Sequence, residues 1–115
     1  MQIHQSAEDY LETILMLNQR MGRVRSIDVV NELGYTKASV SIAMKKLREN
    51  GYIAVDGEGN LTLLEPGREI AERIYSRHRL LTHFFVQLGV DEEVAAEDAC
   101  KAEHILSEQT LKKDP

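Results

Sequence analysis

The sequence predicts a mainly α-helical protein, in which an N-terminal winged helix-turn-helix is followed by an α-helical second domain. Two observations predict this. Three helix-type patterns precede two short β-prone runs, 52–55 and 61–64, which flank a turn rich in Gly, Asp and Asn. A long apolar stripe at helical spacing follows Pro66. We therefore assign residues 1–65 to the winged helix-turn-helix (three helices plus a β-hairpin wing) and 66–115 to the helical domain.

The first two helices are predicted from caps and apolar spacing. Ser6 is a favourable N-cap, and the apolar residues behind it predict a helix over 6–21. Ser26 is expected to cap a short second helix, which Gly34 ends. The packing face expected for that helix is Ile27, Val30 and Leu33.

The third helix has one apolar and one basic side. Thr36 is expected to cap the segment "TKASVSIAMKKLRENG". Val40, Met44 and Leu47 lie at i, i+4 and i+7, which predicts that this side is buried. The opposite side carries Lys37, Ser41, Lys45 and Arg48.

The second region is predicted to contain two further helices. Pro66 suits the first turn of a helix that runs to about Leu88. Asp91 is expected to cap a helix from about Glu92 to Leu106, and Ser107 to open a short last turn. The stripe of the long helix is Ile70, Ile74, Leu81, Phe85 and Leu88, with His78 in its gap.

Length and composition exclude several classes of protein. The 115 residues, 43% apolar and 29% charged, are typical of a small globular protein that gains stability from a partner chain. No signal peptide or run of about 18 apolar residues is present, so we expect a cytoplasmic protein without membrane contact. A single cysteine excludes an internal disulfide.

Charge is unevenly distributed along the chain. The net charge is −5, yet the segment from Arg20 to Arg48 carries +5 and the part from Glu65 onward carries −4. Because a local basic surface matters more to nucleic-acid binding than the total charge, the two regions are expected to have different partners.

The third helix is the predicted recognition helix. The second helix of a helix-turn-helix enters the major groove, where its early residues contact the edges of the DNA bases. Nearby lysine and arginine side chains neutralise phosphates. Ala38 or Ile42 could meet a thymine methyl group, and Arg23 and the turn at 57–60 could meet phosphates or the minor groove. No Arg, Asn or Gln occupies the first half of this helix, so its residues do not indicate the operator sequence. The predicted DNA-binding residues are Arg25, Ser26, Thr36, Lys37, Ala38, Ser39, Ser41, Lys45 and Lys46.

The segment "ACKAEHILSE" places a thiol, a carboxylate and an imidazole close together. On a helix, Glu103 lies about 60° behind Cys100 and His104 about 40° ahead of it. Asp9 and Glu12 are related by i, i+3 at the start of the first helix. Together with His78, these groups suit a divalent first-row metal.

Each of these side chains also has an ordinary interpretation. His78 could be a hydrogen-bonded core histidine, Cys100 a packed hydrophobe and Asp9 a first-turn acid favoured by the helix dipole. Their joint arrangement favours a metal site. We assign His4, His83 and Glu97 no functional role.

The sequence resembles the iron- and manganese-dependent repressors typified by the diphtheria toxin repressor and the manganese transport regulators. The resemblance extends over nearly the whole chain and is most specific in "EDYLE", "RHRLL" and "CKAEH". It implies that residues 66–115 form an α-helical metal-binding and dimerisation domain. The protein would then be a homodimer that binds double-stranded operator DNA and takes no small organic substrate. The resemblance also implies metal ligands on both sides of the domain boundary, namely Asp9, Glu12, His78, Cys100, Glu103 and His104.

The chain departs from both branches of that family. Asp9 and Glu12 match the manganese pattern, whereas Cys100 matches the iron pattern. A carboxylate-rich set favours Mn²⁺, while a thiolate favours Fe²⁺, Co²⁺ or Zn²⁺. Thr82 and Ala96 cannot supply the ancillary site of the iron branch, so His78 is expected to join a shared site.

The predicted function is a metal-dependent repressor of metal-uptake genes. Mn²⁺ or Fe²⁺, with Co²⁺, Ni²⁺ or Zn²⁺ as surrogates, would lock the homodimer in its operator-binding geometry. One alternative is a metal-independent winged-helix module that binds DNA or protein. The other is a metallohydrolase, which the absence of an HExxH motif or a Gly-rich phosphate loop disfavours.

Overall fold

The computed structural model describes residues 5–112, which form a mainly helical fold with one β-hairpin. The elements are α1 Gln5–Met21, α2 Ser26–Leu33, α3 Lys37–Glu49, β1 Ile53–Val55, β2 Leu61–Leu63, α4 Glu65–Gln87, α5 Glu92–Ala102 and α6 Glu108–Lys112. This order confirms the predicted fold class. The chain divides into two compact units, Met1–Glu72 and Arg73–Pro115, and the division falls inside α4.

The helix-turn-helix of the first unit is defined by its caps. Thr36 caps α3 as predicted, because its Oγ1 accepts the Ser39 N–H at 3.1 Å. The prediction that Ser26 caps α2 is wrong. Arg25 is the N-cap, and its backbone N–H donates to the Asp28 carboxylate at 2.9 Å, which is the N3-acid half of a capping box. Gly34 ends α2 in the left-handed conformation (φ 71°).

The core of the first unit lies between α1, α2, α3 and the hairpin. The predicted inner side of α3 is confirmed, since Val40, Met44 and Leu47 are buried. The predicted face of α2 is only partly correct: Val30 and Leu33 are half-buried, but Ile27 is 43% exposed, and Val29, outside the three-residue repeat, is fully buried. Because α2 packs against both α1 and α3, its buried side is centred on Val29 rather than on a three-residue repeat.

The wing is a short antiparallel hairpin that is hydrogen-bonded to the segment before α2. Its register pairs Ile53 with Leu63, Ala54 with Thr62 and Val55 with Leu61. The Leu61 N–H donates to the Val24 carbonyl oxygen at 2.7 Å, which ties β2 to the segment between α1 and α2.

The turn of the wing is organised by Asp56. Its Oδ1 accepts the backbone N–H groups of Glu58 and Asn60, both at 2.9 Å, and its Oδ2 accepts the Asn60 side-chain amide at 3.0 Å. The Asn60 side chain, followed by the backbone bonds and the Arg23 charge, lowers the pKa of Asp56 from its ordinary value.

The start of α4 approaches the hairpin very closely. A Cβ atom on Gly67 would overlap the Tyr52 carbonyl oxygen and lie 3.3 Å from Leu11 Cδ2. Gly67 is itself buried. Glycine at this position therefore permits a backbone contact that any other residue would disrupt.

The second unit is formed by the later part of α4, α5 and α6. In the predicted stripe of α4, Ile74 and Leu81 are buried, but Leu88 is 66% exposed because it follows the end of the helix. The predicted short last turn is confirmed by a bond at 3.2 Å from the Thr110 N–H to the Ser107 hydroxyl. Within residues 5–112, no helix has the length and apolar character needed to span a membrane.

The prediction that α5 continues to Leu106 is wrong, since α5 ends at Ala102. Glu103 keeps helical dihedral angles (φ −59°, ψ −24°), but its carbonyl accepts a bond from the Arg77 guanidinium at 3.2 Å. The next backbone hydrogen bond, from the Ile105 N–H to the Ala102 carbonyl oxygen, spans three residues instead of the four of an α-helix.

Candidate metal centre and nucleic-acid interface

In the second unit, the buried carboxylate of Glu103 lies between two imidazoles. The His78 Nδ1 is 3.0 Å from Glu103 Oε2, and the His104 Nε2 is 3.4 Å from Glu103 Oε1. The Glu103 side chain is fully buried, and the side chains of His78 and His104 are 21% and 2% exposed. A carboxylate removed from water in this way requires positive charge or hydrogen-bond donors nearby.

One oxygen of this carboxylate lacks a hydrogen bond. Among the described residues, no donor meets hydrogen-bond geometry at Glu103 Oε1, although His104 is within contact distance. Cys100 is exposed, and its Sγ lies within 4.8 Å of a Glu103 carboxylate oxygen. Buried oxygen, imidazole nitrogen and thiol sulfur at such short separations are the donor set of a divalent transition-metal site, so these residues fit the ion.

Two neighbouring residues of α4 contact Glu103, one at its backbone and the other at its side chain. Arg77 donates to the backbone carbonyl of Glu103, while His78, one position later, contacts its side chain. The Thr82 hydroxyl donates to the His78 carbonyl oxygen at 2.7 Å. Sequence reasoning missed Arg77, because nothing in the local pattern indicates a contact 26 residues along the chain.

The helical-wheel placement of the three residues of "CKAEH" was partly wrong. Cys100 lies in α5 and Glu103 is its C-cap, but His104 lies in the turn that follows. His104 directly follows Glu103 in the chain, and in this turn its Nε2 lies 3.4 Å from Glu103 Oε1.

The other two predicted ligands lie on α1 in the first unit. Asp9 and Glu12 are one helical turn apart, as their spacing predicted. Glu12 is 5% exposed and Asp9 is half-buried. That these two carboxylates join the groups of the second unit in one site stays a prediction.

The predicted DNA-binding residues occupy the surface of the first unit. All of them are exposed except Ser26, which is half-buried. The hydroxyl of Thr36 donates to the Ser39 hydroxyl at 2.9 Å, so these two side chains are already ordered by the helix cap. The α3 helix thus presents a small, polar and basic outer side.

Two arginines near the helix-turn-helix lie close to carboxylates. Arg20 Nη2 is 2.7 Å from Glu32 Oε1, and Arg23 Nη1 is 3.8 Å from Glu58 Oε2 in the wing turn. By contrast, Lys37, Lys45 and Lys46 make no ion pair within residues 5–112. The uncompensated positive charge of the unit is therefore concentrated on α3.

Comparison with known protein families accounts for both units. Residues 2–61 match the N-terminal DNA-binding domain of the iron-dependent repressors, and residues 64–113 match the metal-binding and dimerisation domain of the same proteins. The chain belongs to the iron-dependent repressor family. Its winged helix-turn-helix and its helical second unit are the two domains that define this repressor family.

Individual relatives agree with this membership. The chain is 36% identical over 111 residues to an uncharacterised helix-turn-helix-type transcriptional regulator of Methanocaldococcus jannaschii, covering 95% of this chain and 89% of the relative. It is 36% identical over 102 residues to the transcriptional regulator MntR of Bacillus subtilis, covering 89% of this chain and 72% of MntR.

Two solved structures of similar fold come from proteins about twice as long as this chain. A manganese-dependent transcriptional repressor in complex with manganese superposes with a TM-score of 0.83 at 29% identity, over 91% of this chain and 49% of that protein. The manganese regulator SloR superposes with a TM-score of 0.81 at 24% identity, over 98% of this chain and 52% of SloR, which shows the shared fold. The chain thus spans about half the length of these structures.

Proposed function

We propose that this protein is a metal-dependent transcriptional repressor that binds operator DNA as a homodimer and controls metal-uptake genes. The observation that carries the proposal is the buried Glu103 carboxylate, flanked by His78 and His104 and close to Cys100. The same chain carries a winged helix-turn-helix whose recognition helix presents uncompensated lysines. Metal sensing and DNA binding are therefore available in one polypeptide, which would act in the cytoplasm, where the DNA is.

The proposed ligands come from both units. His78, Cys100, Glu103 and His104 would hold the ion from the second unit, and Asp9 and Glu12 from α1. A divalent ion supplies positive charge that allows several carboxylates to approach each other without repulsion. Because α1 packs against α2, α3 and β2, restraining Asp9 and Glu12 would also restrain the recognition helix.

In a twofold dimer, this restraint would set the separation of the two recognition helices. Half-sites are read about one helical turn apart, or a multiple of that distance, so a fixed separation selects the operator. Metal and DNA must then tighten each other's binding by the same factor, because the coupling free energy is reciprocal.

The donor set indicates which ions to test. Oxygen and imidazole donors suit Mn²⁺ and Fe²⁺, and the Cys100 thiolate raises the affinity for softer ions such as Co²⁺ and Zn²⁺. The manganese-dependent relatives support Mn²⁺ and the family model supports Fe²⁺. We propose that both ions activate the protein and that Co²⁺, Ni²⁺ and Zn²⁺ act as surrogates.

The deciding experiment measures DNA affinity against metal concentration. Duplexes selected from a randomised pool would be titrated with protein under anaerobic, reducing conditions, with and without Mn²⁺ or Fe²⁺. We expect the ion to tighten binding at least tenfold, and Glu103→Gln to abolish this gain while the winged helix stays folded. Glu97→Gln removes an exposed carboxylate from α5, the helix that Glu103 caps, and serves as the matched control.

Other functions make different predictions in the same experiment. A metal-independent winged-helix module would bind DNA equally well with or without the ion, and Glu103→Gln would change nothing. A metallohydrolase would turn over simple ester or phosphoester substrates when metal is added. We propose that the protein is not an enzyme, which agrees with the transcriptional regulators among its relatives.

A further inference from the structure

One large apolar side chain projects from the otherwise polar outer side of α3. Ile42 is 59% exposed, although it occupies the middle of the helix. The buried residues of α3 define the inner direction, and at about 100° per residue Ile42 points about 170° away from their average. Ile42 is therefore at the centre of the surface that the recognition helix presents.

The surroundings of Ile42 distinguish it from a protein-docking patch. Protein interfaces need a contiguous apolar area, whereas along the outer side of α3 the apolar residue one turn before Ile42 is the small Ala38. The remaining neighbours are exposed polar or basic residues, namely Ser39, Ser41, Lys45 and Lys46. An apolar side chain within a basic surface fits a polyanion that itself carries isolated apolar groups.

The DNA major groove has this character. Thymine places a C5-methyl group on the groove edge, whereas guanine, adenine and cytosine place hydrogen-bond donors and acceptors there. Ile42 cannot satisfy those polar groups, so burying it against them would cost free energy. Contact with a methyl group instead removes apolar area of both partners from water.

From this geometry we infer that Ile42 is a specificity-determining residue, which reads the methyl group of one thymine in each operator half-site. The inference rests on the proposed repressor function and adds the chemical feature that the recognition helix selects. The lysines around Ile42 supply affinity for the phosphates without distinguishing bases. Ile42 thus supplies discrimination in a helix whose first half contains no Arg, Asn or Gln.

Replacing thymine by uracil tests the inference, because uracil lacks only the methyl group. A duplex selected from a randomised pool in Mn²⁺ would be resynthesised with deoxyuridine at each thymine in turn. For the wild-type protein, we expect one position per half-site at which uracil weakens binding about fourfold, the equivalent of one buried methyl group. Ile42→Ala should bind the thymine and uracil duplexes equally.

The matched control is Ile27→Ala, which removes an isoleucine of comparable exposure from α2. For this variant, the ratio of the affinity for the thymine duplex to the affinity for the uracil duplex should stay as in the wild type, even if both affinities change. Ile42→Gln, which replaces the apolar side chain by a polar one of similar length, should bind the thymine and uracil duplexes equally, as Ile42→Ala does. Circular dichroism checks that the variants are folded, and the exposure of Ile42 leaves the core intact.

Two results would overturn the inference. One is a wild-type protein that binds every uracil-containing duplex as tightly as its thymine parent, and the other is a ratio that survives in Ile42→Ala. If Mn²⁺-dependent binding persists in either case, the repressor function stands and only the role of Ile42 is wrong. If Mn²⁺ never promotes DNA binding, both the function and the inference fail.

Discussion

The His78 imidazole lies 3.0 Å from the Glu103 carboxylate and so joins the middle of α4 to the residue at which α5 ends. Arg77 donates to the backbone carbonyl of the same residue. The position of Glu103 is therefore held through both its side chain and its backbone by two consecutive residues of α4.

Removing Arg77 should weaken metal binding without removing a ligand. Arg77→Ala leaves the Glu103 carbonyl without this donor, which should lower the free energy of unfolding by about 1 kcal/mol. Because groups that orient ligands strongly affect affinity, we expect Mn²⁺ affinity to fall about tenfold. Isothermal titration calorimetry and urea unfolding would measure the two effects.

Arg79→Ala is the control for this prediction. Arg79 lies on the same helix, with its guanidinium carbon 5.8 Å from the centre of the Tyr75 ring. Its loss should leave Mn²⁺ affinity unchanged. Equal affinity of Arg77→Ala and the wild type would show that Arg77 does not position Glu103.

Cys100 should determine the preference between metals. Cys100→Asp replaces a soft thiolate by a hard carboxylate, which should lower the Co²⁺ and Zn²⁺ affinities relative to that for Mn²⁺ by about tenfold or more. The Co²⁺ complex of the wild type should show a sulfur-to-metal absorption band that Cys100→Ser lacks. An identical Co²⁺ spectrum in Cys100→Ser would exclude the thiolate as a ligand.

Gly67 should tolerate no side chain. In Gly67→Ala, the new methyl group would overlap the Tyr52 carbonyl oxygen, so the backbone must shift. We expect the free energy of unfolding to fall by about 1 to 3 kcal/mol. In the matched control Gly57→Ala, the added Cβ meets no atom within 4 Å, and the change should stay within about 0.5 kcal/mol. Chemical denaturation would compare the two, and equal losses would contradict the close approach.

The wing turn should loosen in acid. Hydrogen bonds from Asn60 and Glu58 lower the pKa of Asp56 below its ordinary value of 3.8, so this carboxylate favours the folded turn when ionised. Its stabilising contribution is therefore present above pH 3.8 and is lost as the pH falls through the folded-state pKa. NMR titration of the Asp56 carboxyl carbon and the Glu58 and Asn60 amides should report one transition below that pH. A transition at or above it would be the contrary result.

Most of the fold follows from local pattern. The cap of α3, its buried side, the hairpin and the long helix after Pro66 were all predicted, because caps, glycines and apolar repeats act over a few residues. Two features were mispredicted for one physical reason. The buried side of α2 and the end of α5 depend on contacts with other helices, which a local repeat does not contain.

The candidate site divides in the same way. The residue types and their spacing indicated a metal, and the resemblance to known repressors named the ligands. Neither indicated that Arg77 contacts Glu103, nor that His104 reaches it from outside α5. Arg77 and Glu103 are 26 positions apart, so their contact arises only when the chain folds, and the placement of His104 depends on where α5 ends.

The sequence by itself determined the order of elements, the concentration of positive charge on α3 and the set of side chains able to bind a metal, since these follow from residue identity and short-range spacing. Only the tertiary structure decided that Glu103 is fully buried between two imidazoles and that the Arg77 guanidinium donates to its backbone carbonyl. Burial and exposure are set by packing between distant segments, and packing determines what each side chain can contact.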